Sequence, residues 1–376
     1  MTASSIFIRT MQGTSAAGPR VAVKDCIDIA GELTTVGSPA YERTATPAAS
    51  DAACLESIRE AGMPIVGKTN LHELCFGATG VNPWYGTPSN PFDGSLIPGG
   101  SSSGSAVAVA TGAADVALGT DTAGSVRTPA ACCGVVGYRP TFGRVSTTGV
   151  VPLAASLDTV GVLARTVGQV AEVANRLARL EPSDGRERRV VRLRGFPCDR
   201  EIDDAVDRAL DAARVSVVDD HWPDVAALVD ITTTVLFGEA WVNHGHLLSH
   251  DDPLLGEEVA GRLTRAASVD QTALHRGLRE LPRIRDRAVG LLEGGDVLAL
   301  AAYPTRPPRI TDRDPAPVAL AMLAAAAGLP AIAIPVPGPG GFPASLQLVG
   351  RPNDDCVVLA IAEAIEADVG PSVWAR

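Results

Sequence analysis

Lysine is almost absent from this chain. Of its 32 basic residues only two, Lys24 and Lys68, are lysines, and all the others are arginines. Because arginine does not lose its proton in a protein whereas a desolvated lysine can, a lysine kept in such a chain is a candidate base. Codon bias with two chance survivors explains the count equally well, so scarcity alone selects neither interpretation.

Aromatic residues make up only 4% of the chain, and acidic residues outnumber basic ones, which gives a formal net charge of −11 and a pI near 5.1. Phosphate binding needs a basic face, so we expect no nucleic-acid partner. The one strongly basic run, residues 186–194, adjoins the turn-forming residues Pro-Ser-Asp-Gly at 182–185. This pattern is typical of a solvated linker that leads into a strand.

The seven cysteines show no C-x-x-C spacing, and no signal-peptide pattern precedes them. An odd number of cysteines in a long chain of this kind predicts reduced thiols in a cytoplasmic protein. Cys132 and Cys133 are adjacent, which is not the spacing of a metal clip, and His244 with His246 lacks a third ligand. We therefore expect no metal and no cofactor.

Long hydrophobic runs are also rare. The longest, at 318–334, is interrupted by Gly328 and Pro330 and predicts a buried helix followed by a strand, so we expect no membrane span. Apolar residues nevertheless make up 46% of 376 residues, enough for a substantial core. Alternating patterns indicate an α/β fold, with strands at 21–23, 64–66, 116–119, 297–301, 331–334 and 345–349, and helices at 51–61, 67–76, 105–114, 166–180 and 357–367.

Residues 98–127 place two glycine-rich turns with serines on either side of a small apolar segment. Residues 100–104 satisfy the G-x-S-x-G pattern of a nucleophile elbow around Ser102, but no hydrophobic strand precedes them. A phosphate-binding loop would need a lysine after its glycines, and none follows Lys68. A serine nucleophile with a lysine base remains, since Ser125 opens a helix where N–H groups can converge on an oxyanion. The alternative is that Ser125 only caps that helix.

Several segments match, in order and spacing, the motifs of the amidase signature family, which the sequence therefore resembles. They are Val-Ala-Val-Lys-Asp-Cys-Ile-Asp-Ile-Ala-Gly at 21–31, Gly-Lys-Thr-Asn at 67–70, Tyr-Gly-Thr-Pro-Ser-Asn-Pro at 85–91, Gly-Gly-Ser-Ser-Ser-Gly-Ser at 99–105 and Gly-Thr-Asp-Thr-Ala-Gly-Ser-Val-Arg at 119–127. The resemblance covers 20–180 and 295–367, the signature core. It implies one amidase domain over 1–376, with a mixed central sheet covered by helices on both faces and a variable, mainly helical substrate-side region at 181–294.

The resemblance also implies the catalytic machinery. It assigns Ser125 as the nucleophile, Ser101 as a bridging serine and Lys24 as the base, with a cis peptide bond between Gly100 and Ser101. The positions of the oxyanion hole, formed by backbone N–H groups, are Thr122, Ala123, Gly124 and Ser125. The residues that support this loop are Ser102, Asp121 and Arg127.

The resemblance specifies the substrate less precisely than it specifies the catalytic residues. By position, the residues that bind it are Cys75, Phe76, Gly77 and Trp241. The serine block and the segment around Trp241 resemble indoleacetamide-hydrolase-like amidases, which implies a small aryl or alkyl amide as the substrate. The alternatives are an allophanate-hydrolase-like enzyme, an amidotransferase A subunit that acts with a partner, and a catalytically silent protein of the same fold. We expect a monomer or a homodimer.

Overall fold

The computed structural model describes residues 5–11, 18–180, 189–249, 254–294, 296–312 and 318–370. Within these residues one sheet of 11 strands runs through the molecule in the order β1-β3-β2-β4-β6-β5-β10-β11-β9-β7-β8. The strands are β1 (Phe7–Thr10), β2 (Val21–Lys24), β3 (Ile65–Thr69), β4 (Val116–Asp121), β5 (Val136–Arg139), β6 (Thr159–Ala164), β7 (Arg189–Arg194), β8 (Ser216–His221), β9 (Val297–Ala301), β10 (Ala331–Pro337) and β11 (Pro343–Val349).

Helices connect the strands. They are α1 (Pro39–Glu42), α2 (Glu56–Glu60), α3 (Ser103–Ala110), α4 (Arg127–Cys133), α5 (Val167–Ala178), α6 (Arg200–Ala212), α7 (Val225–His244), α8 (Glu257–Ala266), α9 (Gln271–Leu291), α10 (Ala319–Ala327) and α11 (Asp355–Val369). Helix α5 begins where the sequence predicts, because Thr166 Oγ1 accepts a hydrogen bond from the N–H of Gln169.

The sheet is mixed. Strand β2 lies between β3 and β4 and is parallel to both, whereas β4, β6, β5, β10, β11 and β9 follow one another in antiparallel pairs. The carboxyl ends of β2, β3 and β4 therefore meet at one edge of the sheet. Polar residues at such an edge commonly form the functional site of an α/β protein.

Helices cover both faces of the sheet, and the alternation of side chains along β2 explains how. Ala22 packs in a small-residue cluster with α3, while Val21 and Val23 pack in the larger core with α5 and α11. Small residues on the first face let α3 approach the sheet closely. The predicted α/β architecture, a mixed sheet between helices, is confirmed.

The helix predicted at 67–76 is wrong. Residues 65–69 form β3, which pairs with both β1 and β2 before a turn at 73–75. A Cβ atom at Gly67 would lie 2.6 Å from the backbone oxygen of Arg9 on β1, so its glycine serves close strand pairing rather than a helix start. The helix expected to begin at Ser125 starts two residues later, at Arg127.

The region 181–294 contains helices α6 to α9, but also strands β7 and β8, which extend the central sheet and which the sequence analysis did not predict. The predicted linker at 186–194 lies partly outside the described residues, and β7 begins at Arg189. Helix α9 contains Pro282 in its interior.

Helix α7 with the turn after it, Val225–Ser249, is the one described segment long and apolar enough to cross a membrane, with a mean hydropathy of 1.5. In this fold α7 packs against α8, α9 and α10.

Candidate active site

Lys24 is the last residue of β2, and its side chain is fully buried. Its Nζ donates hydrogen bonds to Ser101 Oγ at 2.7 Å and to Thr120 Oγ1 at 2.8 Å. Ser101 follows the glycine turn that precedes α3, and Thr120 is near the end of β4, the strand beside β2. Three separate segments thus bring one amine and two hydroxyls together at the edge of the sheet.

The two lysines of the chain have different partners. Lys68, on the neighbouring strand, forms a buried ion pair with Asp25 at 3.0 Å and also donates to Thr34 Oγ1 at 2.6 Å. In the described part of the chain no carboxylate lies within ion-pair distance of Lys24, whose partners are hydroxyls. Lys68 is therefore a structural cation, whereas Lys24 has the surroundings of a group that exchanges protons with a serine.

The peptide bond between Gly100 and Ser101 is cis, as the resemblance implies. The carbonyl oxygen of Ser101 accepts from the N–H of His72 at 3.0 Å, and the N–H of Ser102 donates to the carbonyl oxygen of Ser125 at 3.1 Å. The two serine-bearing turns are therefore joined directly through their backbones.

Ser125 is partly exposed and lies on the wall of a cavity of about 360 Å³. Among the described residues, none forms a hydrogen bond with its Oγ, so the hydroxyl is open to the cavity. The structure joins Lys24 to Ser101, but it records no hydrogen bond from Ser101 Oγ to Ser125 Oγ.

The turn before Ser125 contains the four predicted oxyanion donors, and one of them has a hydrogen-bond partner within the turn. The N–H of Gly124 donates to Asp121 Oδ1 at 3.0 Å, so this amide is already engaged. The N–H groups of Thr122, Ala123 and Ser125 have no acceptor among the described residues, and all three residues line the cavity. Three backbone donors thus remain for an oxyanion.

Gly124 is required for another reason. Its φ is +120°, and a Cβ atom there would lie 2.5 Å from the Ala321 Cβ of α10. Only glycine lets the turn adopt this dihedral and approach α10 so closely.

Asp121 holds the turn in place. Its Oδ1 lies 2.7 Å from Arg127 Nη2 and 3.1 Å from Arg139 Nη1, and all three side chains are fully buried. Burial alone would raise the pKa of the Asp121 carboxyl, but the two guanidiniums outweigh this effect and hold the pKa well below its usual range. Arg127 extends the network to Gln347 Oε1 at 2.6 Å, which ties the turn to β11.

Ser102 lies beside this machinery rather than in it. Its Oγ donates to the carbonyl oxygen of Thr120 at 3.3 Å, and the residue does not line the cavity. This position fits the supporting function that the resemblance implies for Ser102 and does not fit a nucleophile elbow.

The cavity wall includes Cys75, Phe76 and Gly77, whereas Trp241 does not line the cavity. Phe76 forms an edge-to-face pair with Phe237 of α7, at 5.0 Å between ring centroids. Trp241 lies one turn further along α7, beyond the end of the cavity, where its ring packs over Gly245. Trp241 and Phe237 lie on the same face of α7, but only the turn that contains Phe237 is level with the cavity.

Sequence reasoning missed several residues that contribute to the site. Thr120 lies within a recognised motif but was not singled out. Thr128 lines the cavity, and its Oγ1 is buried with no hydrogen-bond partner among the described residues. Asp158 accepts from Thr122 Oγ1 at 2.6 Å and from two backbone N–H groups at 153 and 154, and burial raises its pKa to about 6. For each of these residues, the only signal in the sequence was its position in or next to a family motif.

His244 and His246, the possible metal pair of the sequence analysis, lie in different environments. His244 is buried at the end of α7, where its Nε2 donates to the carbonyl oxygen of Pro152 at 2.9 Å, and His246 is exposed. Among the described residues no group of three or more His, Cys, Asp or Glu side chains could hold a metal ion.

Comparison with known proteins identifies the family. The model of the amidase family matches residues 11–250. The chain is 46% identical to Amidase 1 of Arabidopsis thaliana over 172 residues, which is 44% of this chain and 40% of that protein. It is 34% identical to the A subunit of the glutamyl-tRNA(Gln) amidotransferase from Anaeromyxobacter sp. (strain K), over 94% of this chain and 83% of the relative. It is 37% identical to the indoleacetamide hydrolase of Pseudomonas savastanoi, over 60% of this chain and 51% of that protein.

The aligned segments therefore span less than two thirds of the Arabidopsis and Pseudomonas proteins. Solved structures match over almost the whole chain. An amidase crystal structure superposes with a TM-score of 0.87 at 31% identity, over 94% of this chain and 85% of the other. The allophanate hydrolase of Kluyveromyces lactis superposes with a TM-score of 0.83 at 25% identity, over 94% and 62%. By sequence and by fold, this chain belongs to the amidase family.

Proposed function

We propose that this chain hydrolyses a small carboxylic amide to an acid and ammonia or an amine, through an acyl-enzyme on Ser125. The observation that carries the proposal is the 2.7 Å contact between Lys24 Nζ and Ser101 Oγ, directly behind a turn whose serine hydroxyl opens into a cavity. A buried amine, a relay hydroxyl and a free hydroxyl are the groups that metal-free acyl transfer needs.

In the proposed first step, Ser101 passes its proton to Lys24 Nζ while it accepts the proton of Ser125 Oγ. The Ser125 oxygen forms a bond with the amide carbon, and the carbonyl oxygen becomes an oxyanion. The uncommitted N–H groups of Thr122, Ala123 and Ser125 are oriented by the Asp121 network and stabilise this charge. They act without reorganisation because the network is already in place.

In the second step the carbon–nitrogen bond breaks, and the proton on Lys24 returns through Ser101 to the leaving nitrogen. The same path then accepts a proton from water, whose oxygen attacks the acyl-enzyme, and returns this proton to Ser125 Oγ as the bond between Oγ and the acyl carbon breaks and the acid is released. Each group finishes in its starting protonation state. No cofactor and no metal enters this sequence of steps.

The apolar wall of the cavity supports an aryl or alkyl acyl group on the substrate. Phe76 and Phe237 form one side, and Leu153, Leu236 and Met322 contribute aliphatic surface. A relative that hydrolyses indoleacetamide agrees with this choice. A volume of about 360 Å³ suits a small molecule.

The proposal needs no second protein, because Lys24, Ser101 and Ser125 all come from this chain. An amidotransferase-like enzyme would instead act with a partner, since the name of the Anaeromyxobacter relative describes one component of a larger enzyme. Seven free cysteines agree with a cytoplasmic location. Turnover of free amides by the isolated chain distinguishes the two possibilities.

The test is covalent labelling with a fluorophosphonate, read by intact mass, combined with ammonia release from indole-3-acetamide, benzamide, allophanate and glutamine. Wild type is expected to gain one adduct and to release ammonia from at least one aryl amide. Ser125→Ala is expected to do neither, whereas Ser102→Ala, the matched control in the adjacent serine block, keeps both. Labelling of Ser125→Ala to the same extent as wild type would contradict the proposal.

A further inference from the structure

The charged side chains on the cavity wall are all of one sign. Among the described lining residues the ionised groups are Arg262 and Arg265, and no aspartate or glutamate joins them. This contrasts with the whole chain, whose formal net charge is −11. A cationic patch in an acidic protein is an electrostatic feature that favours an anionic ligand.

Both arginines come from α8 and are three residues apart, so they lie on one face of the helix. Arg262 Cζ lies 5.8 Å from the centroid of the Phe76 ring, and Arg265 Cζ lies 5.7 Å from that of Phe237. These are the two aromatic rings that form the cavity wall. Stacking therefore fixes each guanidinium beside the apolar part of the site.

The two guanidiniums differ in their other contacts. Arg262 is paired with Glu258 at 3.1 Å, and its side chain is only 17% exposed. Arg265 is exposed and has no carboxylate within ion-pair distance in the described part of the chain. Arg265 thus has N–H donors at the cavity mouth that a ligand can use, whereas the charge of Arg262 is partly compensated by Glu258.

We propose that the substrate is an amide with a carboxylate at the end remote from the scissile bond, bound by Arg265 with the support of Arg262. This inference rests on the proposed hydrolase function and specifies its substrate class. Such a compound is a monoamide of a dicarboxylic acid: the carboxamide reaches Ser125, the apolar body lies against Phe76 and Phe237, and the carboxylate faces α8. The planar guanidinium suits a carboxylate, which it can bind through two parallel hydrogen bonds.

Two probes of matched shape test the proposal: 4-carboxyphenylacetamide, which carries the anion, and 4-methylphenylacetamide, which does not. Wild type is expected to prefer the anionic probe by about 10-fold to 100-fold in kcat/KM, the size of one charge-assisted hydrogen bond. Arg265→Gln is expected to lose most of this preference, measured as the ratio of kcat/KM for the two probes. Arg265→Lys keeps the charge and is expected to retain part of it. Arg276→Gln, an exposed arginine on α9, is the control and is expected to behave as wild type.

A binding measurement separates failure of this inference from failure of the proposed hydrolase function. The affinity of each probe for Ser125→Ala is measured by calorimetry, with and without Arg265→Gln, at low and high salt. Tighter binding of the anionic probe, lost with Arg265 and weakened by salt, supports the proposal even where turnover is absent. Equal affinity for the two probes, or binding of neither, overturns it, and the arginines then only cover the aromatic rings. Equal turnover of both probes by wild type would overturn it while leaving the hydrolase intact.

Discussion

Thr120 Oγ1 lies 2.8 Å from Lys24 Nζ, so the buried amine is held between two hydroxyls rather than by one. Thr120 belongs to β4 and Lys24 to β2, which are neighbouring parallel strands. The pairing of these strands therefore sets the direction in which the lysine points. We infer that Thr120 positions Lys24 for Ser101.

Replacement of Thr120 by valine tests this positioning. The substitution keeps the shape and removes the hydroxyl, so Lys24 gains a second orientation, and we expect kcat to fall about 10-fold to 100-fold. KM is expected to change less than twofold, because Thr120 does not line the cavity. Thr120→Ser restores the hydroxyl and is expected to recover most of kcat. A loss that serine does not rescue would indicate a packing role only.

Ser101, Ser102 and Ser125 are expected to differ in their importance for catalysis. Ser125→Ala removes the nucleophile and is expected to lower kcat by at least about 10³-fold, and Ser101→Ala breaks the relay and costs about 10²-fold or more. Ser102→Ala removes only a 3.3 Å hydrogen bond to a carbonyl and is expected to cost less than about 10-fold. Steady-state kinetics on one amide compares them. Inactivity of Ser102→Ala together with activity of Ser125→Ala would favour the nucleophile elbow instead.

Asp121→Asn is expected to destabilise the protein by about 3–5 kcal/mol, because it leaves Arg127 and Arg139 buried without their counter-charge. The pKa of Asp121 is held low in the folded state, so its stabilisation is present at neutral pH and declines only as the solution becomes strongly acidic. Urea unfolding at pH 7 measures the loss. Asp115→Asn is the control, since that carboxylate pairs with Arg20 at the surface and is expected to cost less than about 1 kcal/mol.

Two buried histidines predict how stability depends on pH. Burial lowers the pKa of both His72 and His244 to about 4, whereas an unfolded histidine titrates near 6.5. Between these values the unfolded state binds more protons than the folded state, so stability falls as the pH is lowered from about 6.5 to 4. Each histidine contributes at most about 3 kcal/mol to this fall.

Urea unfolding at several pH values between 4 and 7 checks the expectation. His244→Gln keeps a donor for the carbonyl oxygen of Pro152 and is expected to flatten the pH dependence. His275→Gln replaces an exposed histidine and is expected to leave the curve unchanged. An identical curve for His244→Gln and wild type would show that His244 does not contribute.

The sequence by itself determined the fold class and the chemistry-bearing motifs. Ser101, Ser102, Asp121, Ser125 and Arg127 lie within 27 residues of one another, in glycine-rich segments whose backbone requirements are local and so leave a mark in the sequence. A short apolar run likewise predicted β2, and the capping pattern of Thr166 with Gln169 predicted the start of α5, because each of these signals lies within a single element.

Only the tertiary structure decided which elements meet. In the sequence, either lysine could have paired with several polar residues. The packing of the strands places Asp25 beside Lys68, and it places the hydroxyls of Ser101 and Thr120 beside Lys24. Helices α7 and α8 have polar and apolar residues that suit many neighbours, so the sequence did not show that Phe237 lines the cavity and Trp241 does not, and it did not single out Arg262 or Arg265. Contacts between residues distant in sequence depend on the packing of whole elements, which no local pattern records.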